Sequence, residues 1–179
     1  MSIIPKINQR IIALKLNLDE VQKASRDLRK DAYEELGIEY GKSYPDDEST
    51  RMLFEKIEIL KNDRKEKLFT TILNFSQVFS SLKNYLAKQY PNKANEFDLF
   101  FYKEMNKSIS RMDLSNDLKH NPEKDVIFDF RVTKTEIIKE PGKEIHRSFM
   151  SQSWFYKGVE VVEHCNNLYT DTMNFVKHL

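Results

Sequence analysis

The sequence predicts a mainly α fold, a helical bundle with a small β-hairpin inserted before the last helix. Two observations predict the helices: glycine and proline are scarce, at four and five of 179 residues, and apolar side chains recur every three to four positions along most of the chain. A third observation predicts the hairpin, because the period changes to two just after Asp125. Helices are therefore expected to dominate, with strands confined to about 126–150.

The composition predicts one folded domain spanning 1–179, since 40% of the residues are hydrophobic and 32% are charged. Such a mix is too apolar for a disordered chain. The charges nearly cancel, with 29 basic and 28 acidic residues. This balance argues against bulk, non-specific binding to duplex nucleic acid but leaves room for a local basic patch.

Localisation and cofactor classes follow from what the sequence lacks. The single cysteine, Cys165, excludes an internal disulfide and a cysteine metal cluster, which favours a reducing, cytoplasmic location. The N-terminus reaches Lys6 before an apolar signal segment can form, and no stretch approaches the ~20 apolar residues that span a bilayer. No Gly-rich phosphate loop, G-x-S-x-G elbow or H-E-x-x-H occurs, so neither a cofactor nor a metal is expected.

The first helix is predicted over about 6–36, between Pro5, which suits a helix start, and Gly37, which suits the position after a helix end. Only Ser25 interrupts its apolar stripe. The stripe consists of Ile7, Ile11, Leu14, Leu18, Val21, Leu28 and Ala32. Its spacing is close to a heptad repeat, so the helix is expected to pack either on neighbours in the same chain or on a second copy of it.

Two further helical segments follow a loop at 38–48 that is rich in turn-forming residues. The first is one long helix, or two helices joined near Asp63, and it ends at Tyr90 because the residue before Pro91 is pushed out of the helical region. Its apolar face comprises Leu53, Ile57, Leu60, Leu68, Ile72, Phe75, Phe79, Leu82 and Leu86. The second runs over about 93–112 and carries on one face Phe97, Phe101, Met105, Ile109 and Met112.

Strands are predicted after Asn121 and Pro122, where apolar residues alternate with their neighbours from Val126 onwards. Pro141-Gly142 suits a type II turn, so a hairpin is expected, packed on the helices because an isolated hairpin is marginal in water. A last helix follows the aromatic run at 154–156. Its apolar face is predicted to consist of Val162, Cys165, Tyr169, Thr172 and Val176.

The best candidate for chemistry is the short segment that reads Ser115-Asn116-Asp117-Leu118-Lys119-His120. Asn116 and His120 are four residues apart, so a helix places both side chains on one face. The imidazole of His120 then lies at the end of an element, and it can titrate near neutral pH. The alternative is structural, because Lys119 and His120 are cations of the kind that helix C-termini favour.

This segment resembles the R-N-x-x-x-H motif of the HEPN superfamily, whose members are helical bundles that act as metal-independent ribonucleases or are inactive relatives of such enzymes. Asn116 and His120 match the N-x-x-x-H part, and Ser115 stands in the place of the catalytic arginine. The region 125–178 also resembles bacterial HEPN-like proteins. The resemblance implies a single HEPN-like domain, a homodimer and a bacterial defence or toxin–antitoxin context.

What the resemblance implies for catalysis depends on Ser115. In the family the histidine serves as acid and base and the arginine steadies the phosphate, roles that suit both side chains. Serine offers one neutral donor, and by analogy with oxyanion holes the loss of a preorganised donor costs about 10²–10³ in rate. Arg111 lies nine residues before His120, too far in register to replace the arginine unless folding brings it near. A non-catalytic relative is therefore expected.

A basic ridge is predicted to lead into this segment, because Lys103, Lys107 and Arg111 recur every four residues. Lys119 adds a fourth cation. Such a ridge can contact the phosphates of RNA. The alternative is an ordinary solvated helix face, since acidic residues are interspersed among the basic ones.

Three hypotheses cover these alternatives. The first is a non-catalytic HEPN-like binding or scaffold protein that forms a homodimer and binds RNA or a protein partner. The second is a metal-independent endoribonuclease that uses His120 and Asn116. The third is a plain helical module for protein–protein interaction, with the apolar stripe of the first helix as its contact surface.

Overall fold

A computed structural model describes residues 4–39, 42–106, 109–121, 125–140 and 143–179. Helices dominate, and a small antiparallel sheet precedes the last helix, which confirms the predicted mainly α fold class. The helices are α1 (Ile4–Leu28), α2 (Ala32–Glu35), α3 (Glu48–Gln89), α4 (Ala94–Tyr102), α5 (Asp113–His120) and α6 (Val161–Val176), with a 3₁₀ turn at Pro91–Lys93. The strands are β1 (Glu104–Asn106), β2 (Ile109–Ser110), β3 (Val126–Glu140), β4 (Lys143–Tyr156) and β5 (Val159–Glu160).

The longest element is α3, whose 42 residues extend about 63 Å at the ordinary rise of a helix. It begins where the Asp47 carboxylate accepts a hydrogen bond from the Thr50 backbone N–H at 2.8 Å, and it ends at Tyr90, before Pro91. The segment is therefore one continuous helix and not two helices joined near Asp63, the alternative that the sequence left open. Its buried residues are Ile57, Arg64, Leu68, Ile72, Phe75, Ser76, Phe79, Leu82 and Leu86.

Helix α1 packs along α3 and also contacts α6. The predicted apolar stripe is the side that it buries, and even Ser25, which interrupts the stripe, is buried. The buried apolar residues of α1 are Ile7, Leu14, Leu18, Val21 and Ala24. The protein's own helices thus cover the stripe, so it is not a free contact surface for a second copy or another partner. The expected homodimer stays a prediction without this support.

The first helix is shorter than the predicted 6–36, since α1 ends at Leu28 and α2 forms separately after Asp31. Asp31 has an extended backbone, and its carboxylate accepts a hydrogen bond from the Tyr33 backbone N–H at 2.8 Å. This N-cap begins a new helix at the point where apolar spacing alone predicts that the old one continues. Gly37 does follow a helix end, with a positive φ of 70°, but that helix is α2.

The third predicted helix is also too long, because α4 ends at Tyr102 and the chain then forms β1 and β2. Contacts from outside the helix explain this end. Arg111 Nη1 donates to the Phe100 carbonyl at 2.9 Å, and the Met112 N–H donates to the Phe101 carbonyl at 3.1 Å. These carbonyls find partners that a longer helix would otherwise have supplied.

The sheet before α6 has the strand order β3-β4-β5, so it is larger than the hairpin predicted over about 126–150. Strand β4 continues to the end of the aromatic run because that run pairs with the start of β3. Tyr156 lies opposite Val126, and Trp154 lies opposite Phe128. Cross-strand pairs of aromatic and β-branched residues stabilise a sheet, which accounts for the extension.

Strand β5 and a separate two-stranded sheet of β1 and β2 were not predicted. A two-residue turn at Lys157 and Gly158 adds β5, and both residues have positive φ, as a type I′ turn requires. In addition, β1 and β2 lie before residue 120, so the prediction that strands are confined to the later hairpin is wrong. The type II turn expected at Pro141-Gly142 lies outside the described residues.

The main core joins the helices to the base of the sheet, while a second, smaller cluster of Ala32, Ile38 and Ile57 packs α2 on α3. Phe79 of α3 and Phe101 of α4 meet edge to face, with ring centroids 5.4 Å apart, and Tyr156 of β4 is fully buried in the main core. Helix α6 contributes Val161, Val162, His164, Cys165, Leu168 and Thr172, so the predicted core position of Cys165 is confirmed. Within the described ranges, none of the helices has the length and hydropathy needed to cross a bilayer.

Candidate functional site

The segment that resembles the HEPN motif forms α5, which packs on α3. Leu114, Ser115 and Leu118 are buried, whereas Lys119 and His120 are exposed. At about 100° per residue, the side of α5 that carries His120 is the side that faces away from the core. The helix thus presents one packed side and one open side.

Ser115, which stands in the place of the family's arginine, is buried between α5 and α3. Its side chain is 6% exposed, and its hydroxyl donates a hydrogen bond to the Ser76 backbone carbonyl at 3.0 Å. Ser76 is buried as well, so two small side chains allow the helices to approach closely here. An arginine at this position would separate the helices or bury an unpaired charge. Ser115→Arg is therefore expected to weaken folding rather than restore a motif.

Asn116 and His120 share the open side of α5, as their spacing predicts. In the part of the chain that the structure describes, neither side chain makes a hydrogen bond. Lys119 lies on a different side, where it lines a groove of about 460 Å³ between α5 and α3. Acid–base catalysis needs a second group held within hydrogen-bond reach of the reacting atoms. The structure shows no such partner bonded to His120 among the described residues.

Arg111 is partly buried, and the structure gives it partners on α4 and α6. Its Nε and Nη2 donate to Asp171 Oδ2 at 3.0 and 2.7 Å, and its Nη1 donates to the Phe100 carbonyl at 2.9 Å. The guanidinium also lies over the Phe100 ring, 4.5 Å from its centroid. These contacts use donors on all three guanidinium nitrogens and one face of the guanidinium plane. Arg111 therefore joins α4 and α6 and is not available to a phosphate in this arrangement.

The predicted basic ridge does not form as one helix face. Lys103 is exposed at the end of α4, and Arg111 follows β2 in a turn. Lys107 lies outside the described residues. A four-residue spacing aligns side chains only along a continuous helix, and α4 ends at Tyr102, before the first of these residues. The helical arrangement of the ridge is therefore wrong, while phosphate binding by its members stays a prediction.

Asp117 anchors the other flank of α5 to the sheet, and sequence reasoning missed this role. The Tyr156 hydroxyl donates to Asp117 Oδ2 at 2.5 Å, and Lys157 Nζ lies 3.2 Å from the same oxygen. Burial raises the pKa of the Tyr156 hydroxyl, and the hydrogen bond to Asp117 raises it further, so Tyr156 stays a protonated donor at neutral pH. Tyr156 and Asp117 are 39 residues apart, and no local pattern links them.

His164 is a second residue whose role the sequence did not indicate. It is 5% exposed, and its Nε2 has no hydrogen-bond partner among the described residues. Burial lowers the pKa of His164 to about 4, against a weaker opposing effect of Asp113. Burial also raises the pKa of the neighbouring Cys165 thiol. Both side chains are thus neutral at pH 7 and serve the core rather than surface chemistry.

Helix α5 has two fixed flanks and one open side. Ser115 fixes one flank to α3, and Asp117 fixes the other to β4. The groups that remain open to solvent are Lys119 and His120, with Asn116 half-buried beside them. In the described ranges, no three His, Cys, Asp or Glu side chains are grouped so that they could hold a metal ion.

Buried His164 leads to a prediction about stability and pH. Its folded-state pKa, about 4, lies below the ordinary 6.5, so the unfolded state binds more protons between these values. Stability is therefore expected to fall as the pH drops through this window. His164→Leu should remove about 2 kcal/mol of the fall between pH 7 and about 4.5, since one pKa unit corresponds to about 1.4 kcal/mol. Urea unfolding at the two pH values measures this difference.

The matched control is His178→Leu, which removes a histidine that is exposed at the end of α6. It should leave the pH dependence of the parent protein unchanged. If His164→Leu also left it unchanged, the imidazole of His164 would take up protons equally in the folded and unfolded states. Its burial in the core would then be wrong.

Comparison with known proteins adds no relative on which a family assignment could rest. No protein-family model matches the chain, and no curated protein or solved structure is significantly similar to it. The likeness to HEPN proteins therefore rests on the spacing of Asn116 and His120, on the region 125–178 and on the helical fold class.

Proposed function

We propose that this chain is a non-catalytic HEPN-like binding protein that works in the cytoplasm, in a bacterial defence or toxin–antitoxin context. It binds RNA or a protein partner and does not cleave RNA. The Asn116 and His120 spacing on a mainly α fold supports the family part of the proposal. The single, buried cysteine agrees with a reducing compartment.

The burial of Ser115 is the observation that best supports the proposed absence of catalysis. Cleavage of RNA without a metal builds extra negative charge on the phosphorus, and a preorganised cation or donor must meet that charge. At this position the chain has a neutral hydroxyl, and that hydroxyl is committed to the Ser76 carbonyl on α3. The site thus lacks both the charge and the orientation that the family's arginine supplies.

The endoribonuclease alternative keeps one supporting observation, the exposure of His120 at the end of α5. It also requires a cation near that imidazole. Arg111 is engaged by Asp171 and the Phe100 carbonyl, so Lys119 is the nearest candidate along the chain. Lys119 lies about 100° around the helix from His120, so a second copy of the chain would have to bring such a cation to it.

The proposal predicts that the purified protein does not cut RNA faster than buffer. Structured and single-stranded RNA are incubated with wild type and with His120→Ala in the presence of EDTA, which removes contaminating metal-dependent nucleases. Both proteins should leave the RNA intact at equal levels, because His120 has no bonded partner to complete an acid–base pair.

His178→Ala is the control for this assay, since it removes another exposed histidine outside α5. Efficient cutting by wild type and His178→Ala, but not by His120→Ala, would contradict the proposal and establish the endoribonuclease alternative. Cutting that is equal in all three proteins and separates from the protein on further purification would indicate a contaminating nuclease. Equal cutting that stays with the protein would contradict the proposal by a route that does not use His120.

A homodimer belongs to the same proposal and rests on the family resemblance alone. The apolar stripe of α1 no longer supports it, because α3 and α6 cover that stripe. Light scattering over a range of concentrations is expected to give a mass above that of the 21.3 kDa chain. A mass that stays at the monomer value up to high concentration would remove the dimer while leaving the binding function in place.

A further inference from the structure

A cleft of about 810 Å³ lies between the end of α1, α2, the middle of α3 and the base of the sheet. We propose that this basic cleft binds single-stranded nucleic acid through its phosphates and one stacked base. The residues that define the basic cleft are Arg29, Lys30, Lys61, Lys65, Phe128 and Phe130. Its volume is within the range of ligand sites in proteins, roughly 300–1,000 Å³.

Five cations and two carboxylates line the basic cleft, and one of the cations, the buried Arg64, pairs with Glu35 outside the lining. The two carboxylates are already engaged, since Asp31 caps α2 and Glu58 pairs with Lys61 at 2.8 Å. Among the described residues, no carboxylate lies within 4 Å of Lys65 Nζ, which instead sits 5.1 Å from the centroid of the Phe128 ring. An anion that enters the cleft therefore supplies a partner that Lys65 lacks.

The other rim of the cleft is formed by Arg29 and Lys30, at the end of α1. They pair with Glu160 and Asp27, but the two cationic side chains are 52% and 60% exposed. Ion pairs this exposed contribute little to stability, so phosphate oxygens can replace the carboxylates at low cost. Below them, the buried Arg64 donates to the Lys30 carbonyl at 2.9 Å, which holds the backbone of this rim on α3.

An exposed aromatic ring stands beside these cations. Phe130 is 57% exposed and lines the cleft from β3. Phe128, two residues earlier, packs against the Trp154 ring with centroids 5.2 Å apart, and Trp154 Nε1 donates to the Lys65 carbonyl at 3.2 Å. These contacts fix this end of β3 on α3. The Phe130 ring is thus presented from a rigid support, as in proteins that stack the bases of single strands on aromatic side chains.

Two amide side chains complete the lining. Asn62 on α3 and Gln152 on β4 both face the cleft, and Gln152 lies opposite Phe130 in the strand register. In the described part of the chain, neither amide forms a hydrogen bond within the protein. Each offers donors and an acceptor that can pair with the edge of a base stacked on Phe130.

These features favour a single strand over an acidic peptide or a duplex. An acidic peptide uses the cations but has no need of an exposed ring flanked by two amides. A duplex keeps its bases stacked on each other, so it has no exposed base face to place on Phe130. The inference rests on the proposed function in one respect, namely that the ligand is held without being cleaved.

The test is binding of a fluorescent single-stranded oligodeoxynucleotide to the full chain, followed by fluorescence anisotropy at several salt concentrations. DNA is used because it lacks the 2′-hydroxyl, so no ribonuclease activity can disturb the measurement. Phe130→Ala is expected to weaken binding about tenfold, as the loss of one stacked base does. Lys65→Gln is expected to weaken binding and to reduce the slope of log affinity against log salt by about one.

Matched controls come from the same elements. Ile137→Ala removes an exposed apolar side chain from β3 outside the cleft, and Lys88→Gln removes an exposed cation near the end of α3. Neither should change the affinity. Circular dichroism of all four variants checks that each substitution leaves the fold intact.

Three outcomes would overturn the inference: no binding at low salt, equal losses in cleft and control variants, or displacement of the DNA by polyglutamate with no effect of Phe130→Ala. The last outcome would make the cleft a site for acidic peptides. If the protein does not bind the DNA in this way and also does not cut RNA, the inference about the basic cleft fails and the proposed function stands. If it cuts RNA through His120, the proposed function fails, and the DNA measurement still shows whether the basic cleft binds a single strand.

Discussion

The architecture depends on the buried face of α3, because α1, α2, α4, α5 and α6 all contact this one helix. Leu68, Ile72, Leu82 and Leu86 are completely removed from water, and each such burial contributes about 1.5–3 kcal/mol. At its contact with α5, α3 carries the small residue Ser76. Helix α5 therefore approaches closely enough for the Ser115 hydroxyl to bond to the α3 backbone. The position of α5, and hence of every candidate site residue on it, follows from this packing.

That packing determines what the HEPN-like segment can do. The place that the family gives to an arginine faces α3, and Asp117 in the middle of the segment is used to join α5 to β4 through Tyr156. Both contacts stabilise the position of the helix and leave its open side with an isolated imidazole. The basic cleft lies on other elements, around Lys65 and Phe130, so the proposed binding site and the segment that resembles the HEPN motif are on different surfaces.

Periodicity predicted those parts of the fold that depend on a continuous buried face, and it failed where single polar contacts decide. The stripe of α1 and the apolar face and C-terminal end of α3 were predicted because apolar side chains repeat at helical spacing, whereas the sequence left open whether α3 is one helix or two joined near Asp63. The helix ends at Leu28 and Tyr102 were not predicted. They depend on the N-cap at Asp31 and on the Arg111 guanidinium, which binds a carbonyl near the end of α4. The candidate site is similar in this respect. The sequence shows that Ser115 stands where the HEPN motif has an arginine, but it does not show that Ser115 is buried, because its partner Ser76 is 39 residues away in the chain.

Hydrogen exchange shows directly whether α5 is a fixed structural helix. The backbone amides of residues 117–120 are measured against those of 68–86 in α3 and those of the loop at 42–46. We expect the α5 amides to exchange about as slowly as the α3 amides, because both are released only when the shared core opens. Exchange of the α5 amides at the rate of the loop, while α3 remains protected, would contradict this expectation.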